Sequence, residues 1–271
     1  MGAFSFSVQT IAAPPKSLYE RIGGIHKIAA AVDVSVDMEW NDPILNANPR
    51  FKMAEAAGKP FAKFAITNTL AVCAGGPQKL AFNAAAVTKW IGFTKEQFDR
   101  AWSIHETACE KVGMSKKDFM EFKAMYLKME AMAKPMQPTP ETFASTDSLY
   151  ARLGGIVPIS TVVDEFVNML ATDPTIGSNP QVVRSLTSGN VTGPGLKYLV
   201  TEQLVQAAGG PCTYSGRTMK DAHHGLMISE KEWQVGAQIL KKVLDKYQVP
   251  AKEQGEIFQA IASSHDDIVG H

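Results

Sequence analysis

Ser17-Leu18-Tyr19-Glu20-Arg21-Ile22-Gly23-Gly24-Ile25 returns as Ser148-Leu149-Tyr150-Ala151-Arg152-Leu153-Gly154-Gly155-Ile156, and this repetition decides how the chain is to be read. The offset is 131 positions (148 less 17). It also carries Val32-Asp33 onto Val163-Asp164, Asp42-Pro43 onto Asp173-Pro174 and Asn48-Pro49 onto Asn179-Pro180. Ala74-Gly75-Gly76-Pro77 matches Ala208-Gly209-Gly210-Pro211 at an offset of 134, so the second copy has gained three residues. Thr94-Lys95-Glu96-Gln97-Phe98 then matches Ser229-Glu230-Lys231-Glu232-Trp233 at 135. Copies this long are duplicated domains, because solenoid units run only ~20–50 residues. A length of 271 residues agrees, at roughly 100–200 residues per domain.

Between the copies, Lys134-Pro135-Met136-Gln137-Pro138-Thr139-Pro140 cannot continue a helix and favours an extended spacer. The expected organisation is an extension over residues 1–16, a first domain over 17–134, a Pro-rich linker over 135–147 and a second domain over 148–271. Each copy reads as all-α. Thr94-x-x-Gln97 and Ser229-x-x-Glu232 fit capping boxes. After the second box Trp233, Val235, Ile239, Leu240, Val243 and Leu244 fall at helical spacing, and Val249-Pro250 marks a break.

Composition removes several function classes. Lysine plus arginine equals aspartate plus glutamate, 27 each, so no electrostatic footprint for nucleic acid or an anionic membrane exists. No apolar run approaches the ~18–20 residues of a membrane span. Cys73, Cys109 and Cys212 form no CxxC and read as buried thiols in a reducing compartment. Met1–Lys16 lacks the arginines of a transit peptide and the apolar core of a signal peptide, and Phe6 breaks the myristoylation pattern that Gly2 invites. The expected location is cytoplasmic, or organellar if the chain begins after a processed leader. No nucleophile elbow, P-loop, dinucleotide fingerprint or HExxH is found, which favours a binding protein over an enzyme. The run Met125, Met129, Met132, Met136 reads as adaptable packing, and His265-Asp266-Asp267 lacks a second ligand pair for a metal.

The second copy resembles the group I truncated haemoglobins over nearly all of residues 148–270. The resemblance is carried by Ser-Leu-Tyr-x-Arg-Leu-Gly-Gly, a following Asp-x-Phe helix, Ala-x-Asp-Pro, a Gly-Gly-Pro after a helix, and Tyr214-Ser215-Gly216-Arg217-Thr218-Met219-Lys220-Asp221-Ala222-His223. It implies a two-over-two helical sandwich in each copy and places the ligand of haem iron at His223. Such a histidine offers one neutral ring nitrogen to iron while the other is hydrogen-bonded, which fixes the tautomer. His224 points about 100° away on a helical turn and cannot face the same iron.

The first copy departs at this point, because His223 corresponds to Thr88 and His224 to Lys89. Threonine is not a usual axial ligand of haem. His26 and His105 lie elsewhere and read as surface or structural, and Trp90 could help fill a haem-sized void. On the distal side of the second copy, the resemblance places Val167, with Phe166 beside it, at a position commonly tyrosine. Leu196, Val200 and Gln203 fall at the other pocket positions. Bound oxygen would then meet few donors, with Tyr198 and Gln203 nearby.

Two readings stand. In the first, the second domain binds one haem b and its iron through His223 and takes a diatomic gas (oxygen or nitric oxide), the first domain being haem-free and structural. In the second, both domains form a haem-free globin-fold scaffold, a structural subunit with protein partners in a larger assembly.

Overall fold

The computed structural model describes residues 15–137 and 147–271. Most of the N-terminal extension, with Gly2 and Phe6, and residues 138–146 of the Pro-rich linker lie outside them. The first half holds α1 (Leu18–Arg21), α2 (Gly24–Glu39), α3 (Pro43–Asn46), α4 (Pro49–Glu55), α5 (Lys59–Cys73), α6 (Ala84–Ile91), α7 (Lys95–Lys111) and α8 (Lys116–Met132). The second holds α9 (Leu149–Arg152), α10 (Ile156–Thr172), α11 (Pro174–Gly177), α12 (Pro180–Thr187), α13 (Gly193–Ala207), α14 (Met219–His223), α15 (Glu230–Lys246) and α16 (Ala251–Ala262), followed by α17 (His265–Ile268). The described residues are thus all-α, apart from an isolated β-bridge between Ile228 and Val269. None of these helices is long and apolar enough to cross a membrane.

The repeated motifs explain the repeated helix order. Asp42 and Asp173 cap α3 and α11, and Asn48 and Asn179 cap α4 and α12, each with a proline at the start of the helix. There proline costs nothing, because the missing N–H would be unpaired anyway. The capping boxes at Thr94 and Ser229 both form, and Ser17 with Glu20 adds a third.

The two outermost motifs meet in space. In the first half Tyr19 N–H donates to the Ala74 carbonyl at 2.9 Å, and the Tyr19 hydroxyl accepts from Ile25 N–H at 3.0 Å. In the second half Tyr150 N–H donates to the Ala208 carbonyl at 2.8 Å, and its hydroxyl accepts from Ile156 N–H at 3.1 Å. Each tyrosine therefore wedges between the start of one long helix and the end of another. The ring passes so close to the second glycine of the Ala-Gly-Gly-Pro motif that a Cβ on Gly210 would come within 2.5 Å of Tyr150 and 2.6 Å of Val205. Gly154 and Gly155, both at φ +83°, make the preceding turn, a left-handed conformation that side chains resist.

The halves pack on each other through equivalent surfaces. α2 lies against α5 within the first half and α13 of the second, while α10 lies against α13 and, across the divide, α5. Phe64 stacks on Tyr198 with ring centroids 4.9 Å apart, and these residues are themselves 134 positions apart, at the same place on α5 and α13. Such self-matching contacts are the geometry of an isologous two-fold interface. Polar groups are satisfied there as burial requires. Asn68 Nδ2 donates to the Tyr198 hydroxyl at 2.9 Å, which donates to Glu202 Oε1 at 2.7 Å. Ser215 donates from its N–H (3.0 Å) and hydroxyl (2.6 Å) to Glu202 Oε2, and Gln78 Nε2 reaches the Ser215 hydroxyl at 3.0 Å. Burial raises the Glu202 carboxyl above its ordinary value, against the pull of these donors.

Gly210→Ala is expected to lower stability by about 1–3 kcal/mol through overpacking, read as a lower midpoint of thermal unfolding. Gly255→Ala in α16, where an added Cβ meets nothing within 4 Å, is expected to raise it by roughly 0.5–1 kcal/mol. A Gly210→Ala variant as stable as the parent would show that the tyrosine wedge does not hold these helices.

Candidate functional site

His223 is the last residue of α14, a five-residue helix capped by the Thr218 hydroxyl. The imidazole is half-buried. Its Nδ1 lies 2.8 Å from the Met219 carbonyl, one turn back on the same helix. A carbonyl can only accept, so Nδ1 carries the proton and the lone pair sits on Nε2. Nε2 has no hydrogen-bond partner among the described residues. Burial depresses the pKa of His223, the Met219 carbonyl opposes that, and the Arg217 cation depresses it further. A neutral imidazole with a fixed tautomer and a free Nε2 is the form that ligates a metal. His224 is exposed.

The surroundings hold α14 in place. The Asn179 side chain donates to the Leu226 carbonyl at 3.0 Å. The C-terminal tail pairs with the loop after His223, Met227 N–H reaching the His271 carbonyl and Gly270 N–H the Ile228 carbonyl, and α17 packs on α14. α12, which Asn179 caps, carries no buried residue, and Val183 and Leu186 stand 41% and 39% exposed, with Met227 at 60%. Among the described residues no group of three or more His, Cys, Asp or Glu side chains gathers as a metal cage. A porphyrin-held iron needs only one protein ligand.

The other sequence-predicted residues separate. Val167 on α10 is buried in the large core, and Phe166, Leu196 and Val200 are partly buried against it. Gln203 on α13 lies 3.4 Å from the Met219 sulfur, which ties α13 to α14. Tyr198 is not a distal donor. Its ring is buried in the interface between the halves and its hydroxyl is committed to Glu202 and Asn68. The reason is register: Tyr198 lies two residues from Leu196 and Val200, on another face of α13.

The first half carries counterparts of these positions. Lys59–Cys73 and Gly193–Ala207 stand 134 positions apart, which maps Leu196 onto Ala62 and Val200 onto Ile66, while at the later offset of 135 His223 maps onto Thr88. Ala62, Ile66 and Thr88 all line one apolar cavity of about 170 Å³. Val36 and Ser35, the counterparts of Val167 and Phe166, do not line it. In this cavity Thr88 donates nothing to a metal. Its hydroxyl lies 2.8 Å from the Tyr126 hydroxyl and 3.1 Å from the Ala84 carbonyl. Trp90 does not fill the void. It packs instead in a separate cluster with Leu45, Phe51 and Ile91, with Arg50 over its ring. His105, read from sequence as surface or structural, lines the cavity and pairs with Glu39 at 3.1 Å.

The remaining signals have structural roles. The three cysteines are free and buried, and burial pushes the Cys73 thiol to about 11 and Cys109 and Cys212 to about 12. They are unreactive thiols. His26 accepts a hydrogen bond from Thr192 N–H across the halves, and Gly195 leaves room for its ring. Sequence reasoning missed this pair because only the approach of the two halves creates it.

Two comparisons with known proteins bear on the second half. The family model described as bacterial-like globin matches residues 148–269. The chain is also 30% identical over 122 residues to a group 1 truncated hemoglobin, GlbN, of Mycolicibacterium paratuberculosis, a match covering 44% of this chain and 82% of that protein.

In the absence of ligand, His223 is expected to lose its ring proton below the ordinary histidine value near 6.5. Because its folded pKa is depressed, the stability it contributes is present above about pH 6.5 and is lost as pH falls through the folded pKa. Arg217→Ala should move the titration upward. Imidazole resonances followed by NMR across pH check both; a His223 titrating above 6.5 would mean that the ring is not held neutral.

Proposed function

Because the chain belongs to the bacterial-like globin family through residues 148–269, we propose that its second half binds one haem b through His223 and takes a diatomic gas, oxygen or nitric oxide, on the opposite face. The observation that carries this reading is the free Nε2 of a neutral, tautomer-fixed His223 at the end of α14. When bound, haem supplies the iron at which the gas is taken. The chain's own residues orient and tune it. Met219 O holds the imidazole ring, and Asn179 with the C-terminal tail fixes the loop behind it. Leu196 and Val200 form the apolar opposite wall, with Val167 and Phe166 behind, and Gln203 stands beside α14 as the nearest polar side chain. The first half is a haem-free second copy of the same fold that braces the first helices of the pocket.

The rival reading, a haem-free scaffold serving protein partners in a larger assembly, is supported by Thr88 and by the extensive packing of the two halves. Absorption spectroscopy separates them. Haem added to the full chain is expected to give a Soret band saturating at about one equivalent. His223→Ala should remove the ligated spectrum, and His224→Ala should spare it. No specific band at any haem ratio would decide for the scaffold, and two equivalents would contradict the role given to Thr88.

The polarity of the wall can be tested separately. Oxygen on iron gains negative charge that a donor stabilises, and hydrogen bonds to charged groups contribute about 1.5–3 kcal/mol. Leu196→Gln is therefore expected to slow oxygen release roughly ten- to a hundredfold, with a much smaller effect on carbon monoxide. Stopped-flow dissociation of both gases reads this. Equal effects would mean that Leu196 does not face the gas.

A further inference from the structure

The cavity of the first half has no role in the reading above. Its volume of about 170 Å³ is slightly larger than the ~150 Å³ engineered cavity that stays dry and takes up benzene. Phe61, Phe82, Trp102 and Tyr126 supply aromatic walls. Its polar groups are mostly paired among themselves: His105 with Glu39 at 3.1 Å, and Thr88 with Tyr126 at 2.8 Å. The exception is Glu55, which lines the cavity and whose buried Oε1 has no hydrogen-bond partner. A carboxylate there repels an anion and accepts a hydrogen bond from an N–H or O–H. Met136 both lines the cavity and stands 44% exposed, which marks its opening to solvent.

We propose that the first half binds a small neutral aromatic molecule, of the size of benzene to indole, in this cavity, with Glu55 favouring a ligand that carries one hydrogen-bond donor. The inference rests on the reading of the first half as haem-free, in that Thr88 leaves the space to another occupant. An apolar void of this shape is stabilised by filling, because its walls otherwise lack contacts on one side.

The test uses the full chain, with and without haem, titrated with benzene, indole and benzoate and followed by amide NMR and thermal unfolding. Benzene and indole are expected to bind saturably, with shifts centred on Ala65, Trp102 and Tyr126. Indole should bind several-fold more tightly than benzene, and benzoate not measurably. Glu55→Gln should reduce the preference for indole over benzene. Ala65→Phe, which fills the space, should abolish binding. If that variant fails to fold, the shift map of the parent chain decides alone. Absence of saturable binding, or shifts centred outside the cavity, overturns the proposal while leaving the haem reading intact. Displacement of indole by haem would instead overturn the haem-free reading of the first half.

Discussion

The tyrosine wedge is the constraint on which the rest of the structure depends. Tyr19 and Tyr150 each bond through the backbone to the end of one long helix and through the hydroxyl to the start of another. The separation of α2 from α5, and of α10 from α13, is fixed by one ring and one glycine in each half. A second glycine is needed because the ring approaches the backbone more closely than any Cβ allows. Both repeated motifs thus belong to a single contact. Neither motif could drift alone without opening a cavity or a clash.

From this contact the helix pairs present one flat, apolar face. The two halves bury that face against each other, α2 on α13 and α10 on α5, around the stacked Phe64 and Tyr198. The interface consumes side chains that would otherwise be free to point elsewhere. Tyr198 and Glu202 are spent on it, and a buried carboxylate is tolerated because three donors from Tyr198 and Ser215 surround it. His223, on α14, lies outside this interface.

The two halves have used equivalent positions differently. At one, His223 presents an unpaired nitrogen, while at its counterpart Thr88 is satisfied internally by Tyr126 and Ala84. Around them Leu196 and Val200 correspond to Ala62 and Ile66, which border an apolar cavity that opens to solvent at Met136. Ala62 is smaller than Leu196, so the first half keeps volume where the second places side chain.

Much of this was legible in the amino-acid order. The caps, the Gly-Gly turns, the helix breaks and the 131-to-135 register are local, set by backbone conformation and by hydrogen bonds between residues a few positions apart. They fix the helices and place His223 at the end of a short one. The buried fate of the cysteines also followed from residue type. What tertiary structure alone decided was direction and partnership. Tyr198 faces the other half, His105 meets Glu39, Trp90 turns into its own cluster, and His26 meets Thr192 across the divide. Each of these depends on which helix face becomes buried, and that is settled by contacts between residues tens to more than a hundred positions apart, for which sequence periodicity carries no signal.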